Sequence, residues 1–82
     1  MSDEFLCLAD MMPGQQAMIA CVDTTNPLGQ RLLEMGITPG VSVVMVRFAP
    51  LGDPGEFKVG DTHLLLRRQE AQAIQVYHVH SP

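Results

Sequence analysis

Residues 31–40 read RLLEMGITPG, Arg31 to Gly40, and the fold turns on how this stretch is read. Just upstream, DTTNPLGQ opens a helix. Asn26 is placed as its N-cap and Pro27 as its first residue, where a missing N–H costs nothing. Leu28, Leu32 and Met35 then recur at i, i+4 and i+7, one stripe of a helix. Gly36 follows the last periodic residue and can take the left-handed conformation that stops a helix, with Ile37 folding back on Leu32. Thr38-Pro39-Gly40 continues as a turn: Pro presets φ at the first central position and Gly accepts φ > 0 at the second. The two glycines could instead belong to a ligand cradle. A phosphate loop, however, needs Gly-Lys-Ser/Thr opening a helix, and GITPG follows a helix and carries no lysine.

Working outward, Met12-Pro13-Gly14 repeats the Pro-Gly turn, so Pro13, Gly14, Gly36, Pro39 and Gly40 are all assigned to backbone geometry. Leu6, Leu8, Ala9 and Met11 suggest an opening turn or a one-turn helix. In QQAMIACV, Ala17, Ile19 and Cys21 alternate with Met18, Ala20 and Val22; both faces are apolar, as in a strand of a small curled sheet. VSVVMVRF is a strand by its β-branched content. APLGDPGEF is a loop, because Pro50, Pro54 and the glycines forbid regular pairing. FKVGDTHLLLRR reads as a hairpin turning at Gly60-Asp61, with Phe57 and Val59 before it and Thr62, Leu64 and Leu66 after it. RQEAQAI is a helical turn. AIQVYHV closes the chain as a strand, Ile74 and Val76 inward, Gln75 and Tyr77 outward. The expected fold is all-β: a small five-stranded barrel with one short α-helix between strands 1 and 2 and a helical turn before the last strand. One domain spans 1–82, with 77–82 as a frayed tail.

Composition bounds the function. The 82 residues suffice for one small domain. A net charge of -4 with only five Lys and Arg argues against a nucleic-acid binder, which needs clustered cations to displace counterions. No apolar run reaches the roughly 20 residues that span a bilayer, and the N-terminal MSDEFLCLAD is acidic where a signal peptide is basic. The expected location is the cytoplasm, with Cys7 and Cys21 reduced there. Cys21, in an apolar strand, is read as a small buried hydrophobe. No nucleophile has a base and an orienting group in an evident arrangement, so no enzyme is expected.

Pro13-Gly14, Arg31-Leu32, Met35-Gly36-Ile37, Pro39-Gly40, Ala49 to Pro54, Leu66-Arg67 and Glu70-Ala71 together resemble the FeoA pattern. FeoA proteins are small cytosolic components of bacterial ferrous iron uptake. The resemblance runs from about Leu8 to Val76, and RLLEMGITPG followed by APLGDP is its most specific part. It implies an SH3-like barrel, similar to the C-terminal domain of iron-dependent repressors. It also implies a non-enzymatic accessory role with FeoB, a membrane ferrous iron transporter with a cytosolic GTP-binding domain, as partner. The run Leu64-Leu65-Leu66-Arg67 and the Gly60-Asp61-Thr62 turn depart from the family pattern, and Tyr77 to Pro82 lie beyond it.

Two surfaces are candidates for binding. The loop APLGDPGEF is stiffened by its prolines, which lowers the entropy cost of recognition. With the polar side of the helix it gives the partner-binding candidates Arg31, Glu34, Leu51, Asp53 and Pro54. The alternative is a sensor or chaperone domain binding Fe²⁺ or Zn²⁺. His78 and His80 alternate on a strand, so both rings can point to one side, and His63 on another strand can approach them. Solvated histidines on a frayed end are the simpler account of the same residues. Exposed strand edges also predict self-association, by addition of the C-terminal strand to a neighbour.

Overall fold

The structure is a computed structural model and describes residues 5–25 and 27–81. Asn26, the expected N-cap, and Pro82 lie outside the described residues. Six strands are present: β1 (Leu6–Cys7), β2 (Gln16–Val22), β3 (Ser42–Phe48), β4 (Gly55–Val59), β5 (Thr62–Leu66) and β6 (Ile74–His80). A 3₁₀ turn, Leu8–Asp10, follows β1; α1 (Pro27–Glu34) joins β2 to β3, and α2 (Arg68–Gln72) joins β5 to β6. All strand pairs are antiparallel, in the order β1-β6-β2-β3-β4-β5. The strands therefore number six among the described residues, against the five expected, and the sheet is open, with β1 and β5 as its edges. The extra strand has only two residues, pairing Leu6 with Val76 and Cys7 with Gln75. A segment that short shows no alternation to detect.

The end of α1 is a Schellman motif. Gly36 sits at φ +94°, its N–H donates to the Leu33 carbonyl at 3.0 Å, and the Ile37 N–H donates to the Leu32 carbonyl at 3.1 Å. Leu32 and Ile37 are both fully buried, the apolar contact that locks such a cap. Met35, read as part of the same stripe, is instead exposed. The helix is only eight residues long, and its inward line is Gly29 and Leu32. Gly29 is there for close approach. A Cβ at this position would lie 1.7 Å from the carbonyl oxygen of Asp23.

Thr38–Val41 forms the next turn, the Val41 N–H donating to the Thr38 carbonyl at 3.2 Å with Gly40 at φ +91°. Met12–Gln15 is built the same way, with Gly14 at φ +90° and the Gln15 N–H on the Met12 carbonyl at 3.0 Å. Both are type II geometry.

Leu8, Met11, Ile19, Leu32, Ile37, Val43, Met45, Leu66, Ile74 and Val76 form the centre of one core. Two bulges in the β2–β6 ladder set what faces it. Ile19 pairs with Val76 but Cys21 with Gln75, so β2 carries one extra residue and its alternation slips. Cys21 is consequently exposed rather than buried, its thiol 3.4 Å from Gln75 Oε1. The second slip is on β6: Tyr77 pairs with Met18 and His80 with Gln16, with His78 between them at φ +54°. β6 thus stays in the sheet through His80, and Gln15 Nε2 donates to Ser81 Oγ at 3.2 Å.

Candidate partner-binding surface

The loop after β3 is built by backbone bonds at its two ends. The Gly52 N–H donates to the Ala49 carbonyl at 2.7 Å, and the Ala49 N–H to the Pro54 carbonyl at 2.9 Å. This closes a six-residue corner whose Asp53–Pro54 peptide is cis. Asp53 Oδ1 accepts from the Arg68 N–H at 2.9 Å, satisfying an orphan donor at the start of α2 and fastening the loop to it. The Glu70 side chain accepts from the Arg67 N–H at 2.7 Å in the same turn. Of the loop candidates, Asp53 is thus occupied structurally. Leu51 stands 96% exposed at the tip, and Pro54 lines a groove. Gly55 and Glu56, read only as part of the loop, already belong to β4.

The groove runs between this loop and β5, walled by Phe48, Ala49, Pro50, Pro54 and Leu65, with Arg47 and Glu56 at its rim. Leu65 is 68% exposed. Arg47 and Glu56 are cross-strand neighbours on β3 and β4, and Arg47 Nε lies 2.8 Å from Glu56 Oε1. The other carboxylate oxygen is 2.9 Å from Nδ1 of His63 on β5. The His63 hydrogen bond holds the Glu56 carboxyl below its ordinary range; desolvation opposes it, and the Arg47 charge and hydrogen bond add to the lowering. Arg47 and Leu65 were not legible as site residues, and Glu56 reads as a loop carboxylate; only the register of β3, β4 and β5 makes the three neighbours.

Arg31 and Glu34 are exposed on α1, and no hydrogen bond or ion pair among the described residues joins them to the loop. The three histidines divide. His78 and His80 border one shallow depression on the outer face of β6, β2 and β3, together with Gln16, Met18, Ser42 and Val44. The bulge at His78 puts them there, and the Tyr77 ring lies tilted against the His78 ring at 4.6 Å between centroids. His63 does not join them, because β2, β3 and β4 lie between β6 and β5. Among the described residues no group of three His, Cys, Asp or Glu is arranged to hold a metal ion. No helix among them is long and apolar enough to cross a membrane.

An antiparallel sheet of six strands, capped by two short helices and carrying a braced loop beside an open edge, defines a small SH3-like domain. The FeoA domain family model matches residues 6–78, and the chain belongs to the FeoA family. A fusion of Fe(2+) transport protein A with the Fe(2+) transporter FeoB from Porphyromonas gingivalis is 36% identical over 69 residues. That match covers 84% of this chain and 8% of the fusion protein, so the chain spans a small part of that relative's length. The solution structure of iron(II) transport protein A from Clostridium thermocellum superimposes with a TM-score of 0.80 at 36% identity, covering 88% of this chain and 44% of that one. The zinc-complexed FeoA of Stenotrophomonas maltophilia, described as a prokaryotic SH3 domain protein, superimposes at 0.77 with 29% identity, covering 87% and 88% of the two chains. The family is associated with ferrous iron transport, as the fusion with FeoB indicates, and is not a known enzyme family.

Proposed function

We propose that this chain is a cytoplasmic, non-enzymatic accessory protein of ferrous iron uptake that acts by docking on the cytosolic part of a FeoB-type transporter. The observation that carries this reading is the fusion relative, in which an FeoA sequence and FeoB form one polypeptide. Covalent joining brings the two to high effective concentration, which is useful where the separate proteins work in contact. The braced loop with Leu51 at its tip supports the same reading. An exposed apolar side chain on a corner closed by backbone bonds is pre-ordered for contact and loses little entropy on binding. Pull-down against the cytosolic GTP-binding domain of the transporter, Leu51→Asp beside wild type, tests it. The expected result is retention of wild type and loss of the variant with the fold intact. Equal retention of both removes the loop from the interface.

The depression shared by His78 and His80 favours a second reading, contact with Fe²⁺ or Zn²⁺ at that end of β6. Two imidazoles are half of a usual structural zinc shell, so this reading describes a weak site completed by solvent.

A further inference from the structure

β5 is an open edge whose unpaired backbone can be assigned residue by residue. A two-residue loop, Gly60-Asp61, joins β4 to β5, and Val59 pairs with Thr62 across it. Gly60 has φ +59° and Asp61 does not have positive φ, which fits a type II′ hairpin with Val59 and Thr62 as a hydrogen-bonded pair. Alternation then makes Phe57–Leu64 and Gly55–Leu66 the next bonded pairs. The N–H and C=O groups of His63 and Leu65 therefore point away from β4, to the side where the sheet has no further strand among the described residues.

An edge of this kind is normally blunted by lysine, proline or a bulge. Here the exposed side chains of β5 are Thr62, His63 and Leu65, and the β4–β5 register is regular. Beside the edge lies the groove of Phe48, Pro50 and Pro54, with Leu65 as its near wall. The rim is donor-rich. Both Glu56 oxygens have partners, Arg47 Nε and His63 Nδ1, and the Arg47 side chain is 72% exposed beside them.

We infer that β5 is the docking edge of the chain and that its occupant is an extended segment of the transporter's cytosolic part, added to the sheet as a seventh strand. The backbone selects the class, since only another strand matches the spacing of the His63 and Leu65 groups. The groove selects an apolar side chain beside Leu65, and the exposed guanidinium of Arg47 selects a carboxylate next to it. This rests on the proposed partner and adds the surface and mode of contact.

Amide hydrogen exchange of this chain, free and mixed with the isolated cytosolic domain of the transporter, tests it together with titrations of two variants. Binding is expected to slow exchange at the His63 and Leu65 amides at least tenfold. Leu65→Lys is expected to weaken binding at least tenfold while leaving the thermal midpoint near wild type, as befits an exposed position. Leu65→Pro removes one outward donor and none of the β4 ladder, and should act likewise; if that chain does not fold, exchange and Leu65→Lys decide the question. A complex in which both amides exchange as fast as in the free chain overturns the proposal, whatever the variants do. Absence of any binding by wild type overturns the choice of partner and the proposal with it.

Discussion

Replacing Gly29 by alanine isolates the close approach of α1 to the loop that precedes it. In a free helix the change is favourable, by about 1 kcal/mol in helix propensity. Here the new Cβ would meet the Asp23 carbonyl oxygen at 1.7 Å, and real Cβ atoms essentially never come closer than 3.0 Å to such a neighbour. The helix and the β2–α1 loop must therefore separate by roughly 1.3 Å, the difference between those two distances. Neither side yields easily. α1 is pinned by buried Leu32 and the Leu32–Ile37 cap. The loop is pinned by the Asp23 N–H, which donates to the Ala73 carbonyl at 2.7 Å. Overpacking of this kind costs about 1–3 kcal/mol, and losing the Asp23–Ala73 bond adds about 1 kcal/mol. After subtracting the propensity gain, the net loss is about 1–3 kcal/mol. For a domain of this size that lowers the thermal midpoint by roughly 5–20 °C. Thermal unfolding followed by circular dichroism reads this directly, with Gln30→Ala, on the exposed side of α1 and losing only a long 3.5 Å bond from its amide to the Thr24 carbonyl, as the reference for a helix change without close approach. A Gly29→Ala midpoint at or above that of Gln30→Ala would refute the close-approach argument.

Glu56→Gln should show a pH-dependent deficit. The folded-state pKa of Glu56 is depressed, so its contribution is present above the ordinary value of 4.5 and is lost as pH falls through the folded value. The thermal midpoints of wild type and variant should differ at pH 7 and converge in acid below 4.5; a gap that widens in acid would reverse the assignment. For the histidine pair, anaerobic calorimetry with Fe²⁺ and with Zn²⁺ should give weak binding that the double change His78→Asn, His80→Asn removes and His63→Asn leaves intact. Loss of binding on changing His63 would mean that the three rings meet after all.

The parts of the fold legible in the sequence are those fixed by neighbours along the chain. Gly36, Ile37 and Leu32 make a Schellman cap because three local conditions coincide: a residue tolerant of positive φ, an apolar residue after it, and an apolar residue one turn back. The turns at Pro13-Gly14 and Pro39-Gly40 follow from the same local chemistry, and so does the hairpin at Gly60-Asp61. What the sequence conceals depends on partners in other strands. Cys21 reads as inward-facing by strict alternation, and its exposure results from a bulge that only the pairing with β6 creates. The role of Gly29 is hidden for a comparable reason, since nothing in the sequence distinguishes a tolerated helix glycine from one pressed against the carbonyl oxygen of Asp23, six residues before it.

The candidate surface divides along the same line, and the division bears on function. Leu51, Asp53 and Pro54 stand out because prolines and glycine mark a corner, but the structure gives them unequal roles: Asp53 braces α2, Pro54 lines the groove, and Leu51 alone projects freely. The loop is therefore stiff because one of its own candidate contact residues is spent on holding it. The residues that complete the surface, Arg47, Glu56, His63 and Leu65, come from three strands and meet only through the β3–β4 and β4–β5 registers. A charge placed at the loop tip and a charge placed on the edge strand thus probe different parts of one surface. If Leu51→Asp and Leu65→Lys each weaken docking, and the double variant loses less than their sum, the two positions act through a shared contact. Strict additivity would separate the loop from the edge and assign them to independent contacts.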